Sequence, residues 1–144
     1  VVPLRDDAGT VRVIAGQYEG KVGPAHTFTP MNVWDMRLNQ GGISELPIPS
    51  GWNAALIVLR GTVRVNVSTV AGEAQMVLLD RAGEDVSMEA STDAVLILLA
   101  GEPIDEPIIG YGPFVMNSQD ELLQAFTDLN GGRFGTVAQQ TTSA

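Results

Sequence analysis

The sequence of 144 residues contains no cysteine and a single histidine, His26. Without cysteine the chain can form neither disulfide bridges nor thiolate sites, so its fold must depend on an apolar core. A chain of this length is typical of one domain that buries roughly 70% of its unfolded surface, which is sufficient for such a core. With one histidine the chain also lacks most of the imidazole ligands that a catalytic metal site requires.

Basic side chains are few, because 8 lysines and arginines stand against 17 aspartates and glutamates. The resulting net charge of −9 argues against direct contact with nucleic acid, since phosphate groups repel such a surface. No apolar run approaches the length of about 20 residues that spans a bilayer, and the N-terminus lacks the order of a signal peptide. We therefore expect no membrane contact and a cytoplasmic location. The chain begins at Val1 without methionine, so we also expect a piece of a longer protein.

Alternation of apolar and polar side chains predicts strands along most of the chain. In residues 32–38 the side chains of Trp34, Met36 and Leu38 share one face, and in residues 62–68 Val63, Val65 and Val67 face inward. Residues 54–59 are apolar on both faces, which predicts a central strand. The other predicted strands are residues 10–15, 75–79, 85–89 and 94–100. Their regular spacing indicates an all-β class, an antiparallel barrel or sandwich over about residues 11–109.

The end of the chain has a different pattern, which predicts one α-helix over residues 119–130. Ser118 is a good N-cap and Glu121 can complete a capping box. Leu122, Phe126 and Leu129 form an apolar stripe, so we expect the helix to pack on the outside of the barrel. Residues 136–144 are predicted to be a flexible tail.

The sequence contains no strong candidate for a catalytic residue. His26 lies in a loop and is interpreted as a surface group, since no carboxylate neighbours it and no Gly-x-Ser-x-Gly motif is present. Adjacent carboxylates such as Glu84 and Asp85 point to opposite faces of a strand, which is typical of solvating charges. We therefore predict no catalytic, cofactor-binding or metal-ligating residue in this chain. An alternative hypothesis stays open, in which the barrel lumen binds a small ligand. The side chains expected to line this lumen are Trp34, Met36, Trp52 and Leu56.

Several motifs in the second half of the chain resemble the pirin family. They are Gly101-Glu102-Pro103-Ile104, Glu106-Pro107 and Gly112-Pro113-Phe114-Val115-Met116-Asn117 with the acidic helix after it, preceded by Pro49-Ser50-Gly51-Trp52-Asn53. Pirins are similar to bicupins, which contain two cupin β-barrels in tandem and a C-terminal helix. The resemblance implies that residues 1–135 form a single C-terminal cupin domain.

The same resemblance implies where a metal would bind. In this family iron or another divalent metal is held by three histidines and one glutamate of the N-terminal domain, whereas residues 47–55 here contain no histidine and no carboxylate. The carboxylates that residues 88–96 contain as possible metal ligands are Glu89 and Asp93. Glu45, just before residues 47–55, is a further carboxylate to consider. The expected function is thus a metal-free, non-catalytic domain that supports, or mediates contacts of, a metal-binding N-terminal cupin domain absent from this chain. The parent would be a quercetin 2,3-dioxygenase-like enzyme or a regulatory pirin that contacts protein partners. The alternative is a stand-alone cupin that binds a small ligand, or acts as an enzyme, in its own lumen.

Overall fold

The computed structural model describes residues 1–136, and the rest of the predicted tail lies outside the described residues. Within that range a 3-10 turn covers Arg5–Asp7 and one α-helix, α1, covers Gln119–Asn130. The strands are, in chain order, β1 (Val2–Pro3), β2 (Gly9–Ala15), β3 (Gln17–Tyr18), β4 (Lys21–Val22), β5 (Met31–Leu38), β6 (Ile43–Pro47), β7 (Asn53–Arg60), β8 (Thr62–Val65), β9 (Thr69–Gly72), β10 (Met76–Leu79), β11 (Asp85–Ala90), β12 (Ala94–Gly101), β13 (Ile109–Tyr111) and β14 (Phe114–Met116). The predicted all-β class with a C-terminal helix is confirmed.

Contacts divide the chain into two compact units, Val1–Pro103 and the residues from Ile104 on. The first unit contains a six-stranded sheet in the order β1-β2-β5-β12-β7-β10 and a four-stranded sheet in the order β6-β11-β8-β9. Neighbouring strands in both sheets are antiparallel. The predicted single domain over residues 1–135 stays a prediction.

The core of the first unit lies between its two sheets. Alternate residues of each strand point inward, so both sheets contribute to one cluster of buried apolar side chains. The largest of these that are almost fully buried are Trp34, Met36, Leu56, Leu96 and Leu98 from the six-stranded sheet, and Leu46, Val63, Val65 and Met88 from the four-stranded sheet. The inward side chains predicted for β5 are therefore confirmed. Those predicted for β8 are confirmed for Val63 and Val65.

The turns at the two ends of β8 explain where the strand begins and ends. Gly61 has φ of +83°, and a Cβ atom there would fall on the carbonyl oxygen of Asp93, so only glycine fits between β7 and β8. The prediction for Val67 is wrong, because this side chain is 82% exposed. Asn66 and Val67 have φ of 46° and 65°, and the Asn66 Oδ1 atom accepts a hydrogen bond from the Ser87 N–H at 3.1 Å. This turn ends the strand at Val65, three residues before the predicted end at residue 68.

The outward surface of the six-stranded sheet is unusually apolar. Strand β7 lies between β12 and β10, which confirms an interior strand, and its outward residues are apolar as well as its inward ones. We define the apolar sheet face as the exposed or half-buried outward side chains of β5, β7, β10 and β12, which are Val33, Ala55, Ile57, Leu59, Met76, Leu78, Val95, Ile97 and Leu99. Four of them remain at least 38% exposed.

The second unit consists of the hairpin β13-β14 and the helix α1. Gly112 lies between the two strands with φ of +58°, and a Cβ atom at this residue would lie 3.2 Å from Phe126 Cζ. The ring of Phe126 meets those of Tyr111 and Phe114 edge-on, with centroids 5.7 and 5.1 Å apart. The turn predicted for the segment before the helix is therefore a short hairpin, with an aromatic cluster between it and α1.

The helix begins as the capping box predicts. Ser118 Oγ accepts a hydrogen bond from the Glu121 N–H at 3.3 Å, and Glu121 Oε2 accepts from the Ser118 N–H at 3.0 Å. Leu122 and Ala125 are buried, whereas Leu129 is 46% exposed, so the predicted stripe is wrong at its last position. Docking of the helix on the barrel stays a prediction. Among residues 1–136, no helix is long and apolar enough to cross a bilayer.

Candidate functional site

The first unit contains an open cavity of about 1040 Å³, which we call the acidic cavity. It lies where β6, the edge strand of the four-stranded sheet, comes close to β3 and β5. Its buried lining residues, which form the floor, are Leu4, Tyr18, Asn32, Trp34, Ser44 and Ile48. Its exposed charged residues, which form the rim, are Arg5, Asp6, Glu19, Glu45, Glu84 and Asp85.

The rim gives the acidic cavity a negative potential. Five carboxylates stand around the opening and Arg5 is the one cation among the lining residues. A cleft that carries charge of one sign concentrates molecules of the opposite charge and repels those of like charge. The lining therefore disfavours anionic ligands and favours neutral or cationic ones.

Two of the lining residues carry a polar atom that is covered by the protein and does not reach the surface of the cavity. Trp34 Nε1 and Ser44 Oγ are buried, and neither has a hydrogen-bond partner among residues 1–136. Leaving a buried donor or acceptor unpaired costs about 1–3 kcal/mol, which makes such atoms uncommon in native structures. A third floor residue, Asn32, is paired, since its Oδ1 atom accepts from the Gln17 N–H at 3.3 Å.

Tyr18 is an aromatic residue of the cavity floor. Its ring meets that of Trp34 edge-on, with the centroids 5.0 Å apart. Burial raises the pKa of the Tyr18 phenol and Glu19 raises it further, while Arg5 acts in the opposite direction. The hydroxyl group is therefore protonated and uncharged at neutral pH, where it can both donate and accept a hydrogen bond.

The structure separates the side chains that were predicted to line a lumen. Met36 and Leu56 are 0% exposed and belong to the core, and neither lines the acidic cavity. Trp52 lines a separate small pocket of about 60 Å³ beside Leu79 and Arg81. Only Trp34 of the four lies on the acidic cavity, so the predicted lumen is wrong for the other three.

The sequence interpretation missed the remaining floor residues, although two of them carried a signal. Asn32 and Ser44 occupy inward positions of β5 and β6, where the alternation otherwise places apolar side chains. A polar residue at an inward position needs a partner or lines a cavity. Tyr18 and Leu4 carried no comparable signal, because their approach to β6 depends on tertiary structure.

The carboxylates considered as metal ligands do not converge. Glu89 lies 3.4 Å from Arg64, Asp93 Oδ1 accepts from the Gln40 N–H at 2.8 Å, and His26 is exposed in a loop. Nowhere in residues 1–136 do three or more histidine, aspartate or glutamate side chains form a group that could hold a metal ion. These residues do not fit the iron centre that the family resemblance implies for the N-terminal domain. The prediction that this chain alone binds no metal stays a prediction.

Comparisons with known proteins agree on one family. The sequence model described as the pirin C-terminal cupin domain matches residues 33–135. The chain is 50% identical over 133 residues to a Pseudomonas aeruginosa protein provisionally named quercetin 2,3-dioxygenase, and this match covers 92% of the chain and 46% of that protein. It is 43% identical over 135 residues to a pirin-like protein of Caulobacter vibrioides, covering 92% of the chain and 48% of the relative.

A solved structure supports the same assignment. The crystal structure of a quercetin 2,3-dioxygenase from Acinetobacter baumannii matches with a TM-score of 0.88 and 39% identity, over 95% of this chain and 48% of that one. The chain thus spans about half the length of the curated relatives it matches. Whatever these names assign to the relatives is assigned to proteins about twice as long.

Proposed function

The chain belongs to the family of the pirin C-terminal cupin domain, and on that premise we propose that it supports a metal-binding N-terminal cupin domain. The relatives contain about as much sequence again as the part that this chain matches. We assign any metal chemistry of the parent, a quercetin 2,3-dioxygenase-like enzyme or a regulatory pirin, to that other half. The chain itself supplies a contact surface and takes no chemical step.

The apolar sheet face carries this proposal. Leu78 on β10 pairs with Ala55 on β7, which pairs with Leu99 on β12, so these side chains form a continuous row across three strands. Their neighbours Met76, Ile57 and Ile97 form a second row. Leu78 is 72% exposed and Met76 is 59% exposed. An exposed apolar patch of this kind is typical of a surface that another protein covers.

The position of these side chains adds a second reason. Among residues 1–136, strand β10 is paired only with β7, so it lies at an edge of the six-stranded sheet. The segment of β10 contains no lysine and no proline, which are the usual means of protecting an edge strand. We therefore place the N-terminal cupin domain against β10 and the adjoining part of the apolar sheet face.

Binding in trans tests the proposal. The chain is titrated by calorimetry with the unmatched half of the Pseudomonas aeruginosa relative, expressed as a separate protein. We expect a complex that Leu78→Asp weakens about tenfold or more, because the substitution places a carboxylate in an apolar contact. The control is Val70→Asp on β9 of the four-stranded sheet, where the side chain is 60% exposed and lies outside the apolar sheet face.

Two results would contradict this assignment. If Leu78→Asp and Val70→Asp weaken the complex equally, the contact is not at the apolar sheet face. If Leu78→Asp leaves the complex intact but abolishes self-association seen by analytical ultracentrifugation, the face binds a second copy of the chain instead.

A direct measurement tests the assignment of metal chemistry to the other half. We expect the purified chain to contain far less than one equivalent of iron, nickel or copper and to leave quercetin unchanged, because the described carboxylates do not converge. Elemental analysis and a quercetin turnover assay measure both quantities. Stoichiometric metal together with turnover would refute the proposal, and Glu45, Glu89 and Asp93 would then be the first candidates as ligands.

A further inference from the structure

We propose that Asn130, the last residue of α1, is a modification site at which the chain converts asparagine into isoaspartate without an enzyme, at a rate set by opening of the helix end. Asn130 is followed by Gly131, and none of the other five asparagines is followed by glycine. All residues that take part belong to the second unit. This chemistry is therefore independent of the apolar sheet face and of the function proposed above.

The side chain of Asn130 differs from those of the other asparagines in having no hydrogen-bond partner. Within residues 1–136, every other asparagine side chain takes part in a hydrogen bond, and these are Asn32, Asn39, Asn53, Asn66 and Asn117. Asn130 is exposed and makes no such bond in the same range, since nearby Gln124 and Arg133 both donate to Asp128. A side chain without a partner can rotate towards the backbone, which the reaction requires.

The reaction joins the Asn130 side chain to the backbone nitrogen that follows it. The Gly131 nitrogen loses its proton and attacks Cγ of Asn130, so an N–Cγ bond forms, the Cγ–Nδ2 bond breaks, and Nδ2 takes up a proton and leaves as ammonia. Water then opens the resulting succinimide ring at one of its two carbonyl carbons, which gives aspartate or, with the main chain running through the side chain, isoaspartate. Glycine favours ring closure because it places no Cβ atom beside the attacking nitrogen.

The folded end of α1 restrains this reaction. The Gly131 N–H group donates to the Thr127 carbonyl oxygen at 2.9 Å, so its nitrogen is not free to attack. The next two N–H groups of the chain also donate to carbonyl oxygens of the last turn. Helix ends fray at a free-energy cost far below that of global unfolding. Asn130 therefore reacts from the frayed form, and the frequency of opening sets the rate.

Conversion changes the end of the helix in two ways. Both products carry a carboxylate, which is unfavourable at a helix C-terminus because the helix dipole is negative there. Isoaspartate also adds a carbon atom to the main chain, which moves the N–H groups after it away from their carbonyl partners. The segment that follows contains Phe134, whose ring stacks on that of Phe114 with the centroids 5.8 Å apart. Conversion should therefore separate Phe134 from the aromatic cluster of the second unit.

Incubation of the purified full chain in mildly alkaline buffer tests the proposal. Peptide mass spectrometry measures the gain of one mass unit at each asparagine, and electron-transfer fragmentation distinguishes isoaspartate from aspartate. We expect Asn130 to convert before any other asparagine, with isoaspartate as the main product. In concentrated guanidinium chloride, where α1 is unfolded, the same conversion should be severalfold faster, because the Gly131 nitrogen is no longer held by Thr127.

Two variants and a control separate ring closure from helix opening. Gly131→Ala adds a Cβ atom beside the attacking nitrogen at φ of −81°, which alanine can adopt, and should slow conversion severalfold in the native and the denatured chain. Phe134→Ala removes the stacked ring and should speed conversion severalfold in the native chain only, because the last turn opens more often. The control Phe28→Ala removes a fully exposed ring from the first unit and should change neither rate.

Several outcomes would overturn the proposal. If Asn130 converts in the denatured chain but stays intact in the native one, the last turn of α1 does not open enough for the reaction. If another asparagine converts first in the native chain, the missing hydrogen-bond partner does not select the site. Equal rates in native and denatured chains would show that the Gly131 hydrogen bond imposes no restraint. Equal native rates for Phe134→Ala and Phe28→Ala would refute the link between the helix end and the aromatic cluster.

Discussion

The two sheets of the first unit have similar inner faces and opposite outer ones. On the four-stranded sheet the outward residues are mostly polar, as in the pair Arg64 and Glu89 on β8 and β11. On the six-stranded sheet the corresponding residues include Leu78 and Leu99, which are 72% and 38% exposed. Burial of the core requires only one apolar face per sheet. The second apolar face therefore reflects a requirement other than folding, and we connect it with the binding of another domain.

The clearest test of this comparison uses neighbouring leucines on one strand. Leu98 on β12 is 0% exposed and belongs to the core, whereas Leu99 beside it points outward and is 38% exposed. We expect Leu98→Ala to lower the free energy of unfolding by about 2–5 kcal/mol, through lost burial and the cavity left behind. Leu99→Ala should cost less than about 1 kcal/mol in the isolated chain. Urea denaturation measures both, and equal costs would show that the outward face is also covered within this chain.

The same contrast between a packed and an open side chain can be made on α1. Phe126 is half-buried against Tyr111 and Phe114, while Leu123 on the same helix is 59% exposed. Phe126→Ala should destabilise the chain by about 2–3 kcal/mol, because it removes an aromatic ring from two edge-on contacts. Leu123→Ala is the control and should change the urea midpoint little. An unchanged midpoint for Phe126→Ala would mean that the aromatic cluster does not stabilise the second unit.

The cap of α1 is expected to have a smaller effect. Ser118→Ala removes the oxygen that accepts from the Glu121 N–H and should cost about 1 kcal/mol. The control is Thr127→Ala inside the helix, where the lost hydroxyl bonds only the Leu123 carbonyl oxygen and the higher helix propensity of alanine compensates. Thermal unfolding followed by circular dichroism distinguishes the two variants. A larger loss for Thr127→Ala than for Ser118→Ala would contradict the capping assignment.

The smallest expected effects concern one ion pair on each outer face. Arg12 and Asp35 form a salt bridge between β2 and β5 in which the Asp35 side chain is 12% exposed. Arg64 and Glu89 lie 3.4 Å apart with both side chains 45% exposed. Double-mutant cycles should give a coupling of up to about 1 kcal/mol for the first pair and under about 0.5 kcal/mol for the second. The reverse order would show that the partial burial of Asp35 does not strengthen its interaction with Arg12.

Local chemistry explains why much of the fold could be predicted from the sequence. The start of the helix was predicted because Ser118 and Glu121 act within one turn of chain. Strand β5 was found for the same reason, because Trp34, Met36 and Leu38 alternate with the polar Asp35 and Arg37. Val67 continued the alternation of β8 but lies in a turn whose stability depends on a contact between Asn66 and distant Ser87.

The candidate site was less predictable because it combines segments far apart in sequence. The acidic cavity joins the 3-10 turn, β3, β5, β6 and the start of β11, and no local pattern relates these segments to one another. Glu84 and Asp85 were interpreted as solvating charges, which describes each residue correctly but not the rim that they form with Glu19 and Glu45. The apolar sheet face was visible in residues 54–59, where both faces of the strand are apolar, yet the sequence indicated burial there and not an exposed surface.

The pairing of β5 with β12 has a consequence for the kinetics of folding. These two strands form the centre of the six-stranded sheet, and Leu38 at the end of one pairs with Ala94 at the start of the other. All four strands of the four-stranded sheet lie in the chain between them, so a long loop must close before the central pair can form. Proteins dominated by such non-local pairing fold in milliseconds to seconds, far more slowly than helical bundles. During that interval the apolar strand β7 lacks its neighbour β12, which makes the newly synthesised chain most prone to aggregation before β12 is in place.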